Sequence, residues 1–531
     1  MPSIRLTSLA LCLALGAAEV PVTDQTPRAQ VPEALRWKVE DLFATPQAWE
    51  TDLQKTRQLG DALDVVAKGW TQGPKAMLNF LQAAEEVQRR LMRLGSYASL
   101  QSDTDLSNPT FQKMKGEVQS VAVNLGAKLA FVEPEVLALG SAKLEAFVAK
   151  EPGLKPYAVG LRRILRQAKH VLPEAENRIA TLTGLFGGAP AKASGLLNNL
   201  DLPRTEIALK DGSRVRLTTA AFQRIRASAV REDRHRAMET YFADQKRFEN
   251  TSAALLDGEL QQHLFQARIK RFPTCLDAAL FPHDIDPSVY KNLIATVRAN
   301  LRPLHRLLKL RQRMLGLDQL TYSDVYAPAL AAVERTTPYD EACRLVTDAM
   351  APLGKPYQDV LRKAFQERWV DVYPNLGKRS GAYSLGIHGV HPYVLMNYNG
   401  TFSEVSTLAH ELGHALHSWH SDTALPYALA DYPIFLAEIA STFNENLLVQ
   451  HLLKTEQDDR LKLYLLNEYL ERIRATLFRQ TLFAEFELAM HERVEAGQTL
   501  TPDWLNAKYL ELTRFYYGHD QGVMRVDDYI A

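Results

Sequence analysis

The stretch Thr401–His420 reads TFSEVSTLAHELGHALHSWH. Val405, Leu408, Leu412, Ala415 and Leu416 recur at helical spacing, and Thr401 with Glu404 makes a capping-box pair at the start. The pattern predicts a largely buried helix. On it, His410 and His414 stand four residues apart, about 40° around the axis and one above the other. Two imidazoles so placed can bind one metal ion, with Glu411 projecting beside them towards a water on that metal. There are 14 histidines among the 531 residues, and at that composition H-E-x-x-H arises by accident in about 2% of cases. A plain buried helix would also have to bury the Glu411 charge without a partner, which is costly. The segment therefore reads as a zinc site, with His410 and His414 as ligands and Glu411 facing the metal-bound water.

Catalytic zinc usually takes three protein ligands. His420 stands ten residues after His410, where the metzincin pattern has its third histidine. That pattern needs a glycine at the position of His417, so that the backbone can leave the helix. If the helix continues, His420 points about 80° away from His410 and more than two turns along. The next apolar segment, Pro433-Ile434-Phe435-Leu436-Ala437-Glu438-Ile439-Ala440-Ser441-Thr442, offers a better ligand. Pro433 suits the first turn of a helix, and Glu438 is an acid among apolar residues, which argues for a buried partner. Glu445 lies on the same face as a rival ligand, or as a carboxylate supporting a histidine. Spacing leaves both open.

Around this core the sequence reads as mainly helical. Ala76–Leu100, Ser252–Arg271, Pro287–Leu315 and Asp458–Gln498 carry apolar residues at spacings of three and four. Two interruptions stand out. Gly184–Asn199 reads as a loop or domain boundary, followed by a β-hairpin over Thr205–Thr218 that turns at Asp211-Gly212. Gly377–Gly400 holds the strand-like run Tyr393–Tyr398, so a small sheet is expected just before the metal helix. The length calls for two or more units: an N-terminal helical region over 19–200 and a catalytic domain over 201–531.

Lys+Arg and Asp+Glu both total 62, giving a formal net charge of +0. This argues against a nucleic-acid partner held by general electrostatics, while leaving room for a local basic patch. Residues 1–18 have one charge, Arg5, then the apolar run Leu6–Leu15 and the small residues Gly16, Ala17 and Ala18. That is the layout of a signal peptide, predicting export to the periplasm or beyond with cleavage after Ala18. The run is too short to be a membrane span. Cys12 would leave with it, and sequence does not decide whether Cys275 and Cys343 pair.

The residues His410-Glu411-Leu412-Gly413-His414 and Ala437-Glu438-Ile439-Ala440-Ser441-Thr442 resemble oligoendopeptidase F, in the thimet oligopeptidase family. So do Gly377-Lys378-Arg379-Ser380-Gly381-Ala382-Tyr383, Val394-Leu395-Met396-Asn397-Tyr398 and Trp37-Lys38-Val39-Glu40-Asp41-Leu42-Phe43. The resemblance covers nearly everything after the leader. It implies a two-lobed helical peptidase with a deep central channel, and a small β-sheet beside one zinc ion held by His410, His414 and Glu438. It makes Glu411 the general base and short unstructured peptides the substrates, cut at internal bonds. The strand near Val394–Tyr398 would line the site, where an edge strand could pair with an extended peptide. Relatives of this kind continue past Phe515-Tyr516-Tyr517-Gly518 with a segment whose histidine and tyrosines face the scissile carbonyl, so the catalytic domain reads as short at Ala531. The competing readings are a poorly active zinc-containing peptide-binding protein and a zinc carboxypeptidase. Cleavage preference and oligomeric state are not legible.

Overall fold

The structure, a computed structural model, describes residues 22–173, 176, 180, 183, 187–330 and 336–531. The leader with Arg5, Cys12 and Ala18, and Gly184 at the start of the first interruption, lie outside them.

Helices dominate. α1 (Pro46–Val66), α2 (Pro74–Thr104) and α3 (Pro109–Lys128) each begin with proline in the first turn, where the missing N–H leaves no bond unmade. The predicted hairpin forms, with β1 (Glu206–Ala208) antiparallel to β2 (Arg214–Arg216). Gly212 takes the left-handed φ of 86° that the turn needs. α4 (Glu249–Ile269) follows. The run Pro287–Leu315 is two helices rather than one, α5 (Pro287–Ala299) and α6 (Arg302–Met314). Pro303 lies in the first turn of α6, and its ring prevents a helix from continuing into it from Ala299. The run Asp458–Gln498 is likewise divided, into Asp459–Ile473, a π turn over Arg474–Phe478, and Arg479–Glu495.

The small sheet has three strands, β3 (Val370–Asp371), β4 (Tyr383–Leu385) and β5 (Tyr393–Leu395), in the order β3-β5-β4. β5 runs parallel to β3 and antiparallel to β4. The strand expected to offer an edge is thus the central one, and beyond it the Met396 and Tyr398 N–H groups still bond to Asp371 and Val372. β4 is the outer strand on the other side. The backbone then enters α7 (Phe402–Ala424) and α8 (Ile434–Thr455).

The protein packs as two compact units. One is built from the described parts of 1–132, 147–157 and 335–448, and the other from those of 133–146, 158–334 and 449–531. In the first, Trp37, Trp49, Leu94, Tyr97, Tyr393 and Leu395 share a core, each worth about 1.5–3 kcal/mol on burial. The Tyr393 hydroxyl donates to the Lys38 carbonyl at 3.0 Å. Asp371, at the end of β3, is fully buried, held by Arg28 from the N-terminal segment and by Lys378 at 2.7 Å. Backbone bonds from Val372 to Leu35 and from Leu376 to Thr26 tie the same segment down. In the second unit Leu304, Leu308, Leu512, Tyr516 and Met524 lie in one core. Among the described residues no helix is long and apolar enough to cross a membrane. Cys275 and Cys343 are both free.

Candidate metal centre

α7 starts as the sequence predicts, with the Thr401 hydroxyl accepting from the Glu404 N–H. Only half of the capping box forms, because the Thr401 N–H donates to the Asn399 side chain instead, at 3.1 Å. The helix runs unbroken to Ala424. His420 therefore stays on the helix and stacks against Tyr357, with ring centroids 6.1 Å apart.

His410 and His414 face one another with their Nε2 atoms 3.2 Å apart. Glu438 Oε2, on α8, lies 3.3 Å from His410 Nε2 and 3.5 Å from His414 Nε2. Among the described residues these three form the one group of His, Cys, Asp or Glu side chains able to hold a metal. The donor set fits the ion. Ligands about 2.0–2.1 Å from a tetrahedral zinc stand about 3.3 Å from each other, and this triangle has that size.

The neighbours of the triangle fix its orientation. Glu445 Oε1 lies 3.0 Å from His410 Nδ1, so Nδ1 carries the proton and Nε2 keeps a free lone pair. His414 bonds to the Ala437 backbone. Ser441, fully buried, donates to Glu438 Oε2 at 2.7 Å. Asn444 donates to the Ala409 carbonyl at 3.2 Å, which ties α8 to α7, and accepts at 3.0 Å from the hydroxyl of Tyr357 on the helix Lys355–Gln366. Burial by itself would lower the His410 pKa, but the Glu445 carboxylate reverses this and raises it. His414 is lowered, by burial and by the His410 charge, which favours the neutral form a ligand needs. Burial pushes the Glu411 carboxyl up to about 7, with Glu438 and Glu445 adding to the rise and His410 opposing it.

The structure brings together His410, Glu411, His414, Glu438 and Glu445, though one argument for Glu438 fails. Its side chain is 61% exposed and that of Glu445 only 12%. Phe435, Ile439 and Phe443 beside it are exposed too, so apolar neighbours on α8 did not signal burial. The sequence reading missed Ser441, which bonds to Glu438 three residues earlier on α8, and Asn444, which bonds across to α7. It also missed two close approaches. A Cβ on Gly413 would stand 2.6 Å from Ser441 Cα, and one on Gly386, just after β4, would stand 2.6 Å from Ser418 Cβ. These glycines let α8 and the sheet close onto the two sides of α7.

The model for "Peptidase family M3" matches residues 225–527, and the model for "Oligopeptidase F" matches 135–203. The chain belongs to peptidase family M3. It is 34% identical to Oligopeptidase PepF of Bacillus subtilis, over 94% of this chain and 75% of that one. It is 35% identical to Group B oligopeptidase PepB of Streptococcus agalactiae, over 92% and 82%. A crystal structure from Chlamydophila abortus superposes with a TM-score of 0.83 at 32% identity, covering 96% of this chain and 84% of that one. Oligoendopeptidase-F from Enterococcus faecium superposes with a TM-score of 0.67 at 28% identity, covering 91% and 81%. The family assignment makes the protein a peptidase, and the mainly helical fold with a small sheet beside the histidine helix is the one expected.

Proposed function

We propose that this member of family M3 is a zinc-dependent endopeptidase of short, unstructured peptides, using one ion per molecule. The observation that carries the reading is the triangle of His410, His414 and Glu438 donors with the buried Glu411 beside it. His410, His414 and Glu438 would hold the ion, while Glu445 and Ser441 keep their donor atoms aimed inward. Zinc, when bound, supplies a Lewis acid that polarises the peptide carbonyl and acidifies the attacking water. Glu411 takes the proton from that water and delivers it to the leaving amine. The outer strand β4 suits main-chain pairing with an extended peptide. Gly386, directly after it, lies against α7.

The test combines metal analysis with turnover of an internally quenched peptide. Purified protein should carry about one zinc per molecule, and His410→Ala or His414→Ala should remove both metal and turnover. Hydrolysis of the peptide by metal-free protein sinks the proposal. Release of single residues from a peptide end, with no internal cut, would replace it with a carboxypeptidase.

Residues 1–18 extend the proposal to location: the protein is exported, and its mature form begins near Glu19. Protein from the native host that starts at Met1 or Pro2 would contradict this.

A further inference from the structure

Helix α6 buries Leu304, Leu308 and Arg311 in the second unit. Arg311 turns its guanidinium inward, to Glu471 at 2.8 Å and the Asp324 carbonyl. On the opposite face Arg302, Arg306, Lys309 and Arg313 are all exposed. Their spacings of four, three and four residues place them within about 60° around the helix axis, in one straight row about 16 Å long. They line a shallow groove that also takes in Gln312. Among the described residues no carboxylate pairs with any of the four. Elsewhere in this unit Arg298 pairs with Glu485, Arg311 with Glu471 and Arg514 with Asp528. The formal net charge of the whole protein is +0, so the row is a local concentration and not the spill of a basic protein. Lys309 is steadied by the Gly522 carbonyl at 2.6 Å, and His305 by the Tyr516 carbonyl at 3.0 Å, which holds the helix on its unit.

We propose that this row docks the protein peripherally on an anionic membrane surface, with the α6 axis lying along the headgroups. Charge complementarity sets the sign of the partner. A row of four cations on one helix suits a plane of mobile phosphates, which can move to meet each cation in turn. Leu310, beside the row and 37% exposed, adds an apolar contact at the headgroup boundary, as in helices that lie in a membrane interface. The row belongs to the second unit, and His410, His414 and Glu438 belong to the first.

The experiment is flotation of the full-length protein with vesicles of phosphatidylcholine alone or mixed with phosphatidylglycerol, at low and high salt. Binding should need phosphatidylglycerol and weaken with salt. Replacing Arg306→Gln and Arg313→Gln together should weaken it by about 30-fold, with the melting temperature and the turnover of a soluble peptide unchanged. Those two unchanged readings show that the variant folds. Absence of vesicle binding, equal binding to both lipid mixtures, or full binding by the double variant would each overturn the proposal. So would tight binding of a single-stranded DNA oligonucleotide by protein that ignores the vesicles, which would assign the row to nucleic acid.

Discussion

Gly413 of α7 crosses Ser441 of α8 so closely that a methyl group on the glycine would stand 2.6 Å from the serine Cα. This contact sets how near Glu438 can come to the two histidines, since Ser441 also donates to the Glu438 carboxylate. Gly413→Ala should therefore push the helices apart. Alanine favours helix over glycine by about 1 kcal/mol, whereas overpacking costs about 1–3 kcal/mol, so a lower melting temperature would mean the clash wins. Metal content should fall with it. A variant that is more stable and keeps its zinc would show that the crossing tolerates a methyl group.

Three acids surround the histidines, and they should separate by substitution. Glu411→Gln should retain the metal and lose turnover, because the amide keeps the packing but cannot take a proton. Glu438→Ala should abolish stoichiometric metal, while Glu445→Gln should weaken metal affinity about 10–100-fold. Zinc titration of each purified variant decides the assignment. If Glu445→Gln strips the metal and Glu438→Ala does not, the two roles must be exchanged.

Ser441→Ala removes the hydroxyl that holds Glu438 Oε2. A hydrogen bond to a charged group is worth about 1.5–3 kcal/mol, so zinc should bind at least about tenfold more weakly while helix content stays constant. Competition with a chelator reads this directly. An unchanged affinity would mean that the exposed Glu438 carboxylate finds its place unaided.

Asp371 gives a pH dependence. Burial alone would raise its carboxyl, but Lys378 and Arg28 more than reverse this and hold it below its ordinary value. A depressed folded pKa contributes stability that is fully present above the unfolded value of about 3.9 and is lost as the pH falls below it. Asp371→Asn should cost about 3–5 kcal/mol at neutral pH, since it leaves two cations without their anion. The gap between wild type and variant should narrow below about pH 4. Melting curves of both proteins across this range provide the check, and a constant gap would mean that another group carries the acid response.

The metal helix was legible because one segment combines helical periodicity with ligand residues at one-turn spacing. The family motifs then selected Glu438 over Glu445, which spacing could not. What stayed hidden lies in contacts made across elements. The sequence does not show that Gly413 is a crossing point, that Asn444 reaches the Ala409 carbonyl, or that β5 is central. The break between Ala299 and Arg302 could have been foreseen from Pro303. The apolar neighbours of Glu438 say nothing of burial, since Phe435, Ile439 and Phe443 face solvent.

The hydrogen bond from Tyr393 to Lys38 joins residues 355 positions apart. A ribosome adding about 5–20 residues per second needs roughly 20–70 s to travel between them. For most of that time Trp37, Trp49, Leu94 and Tyr97 exist without the strand that completes their core. The nascent polypeptide must therefore cross a long interval with its apolar helices uncovered. Its yield in a cell should depend on chaperone holding more than on the stability of the finished molecule.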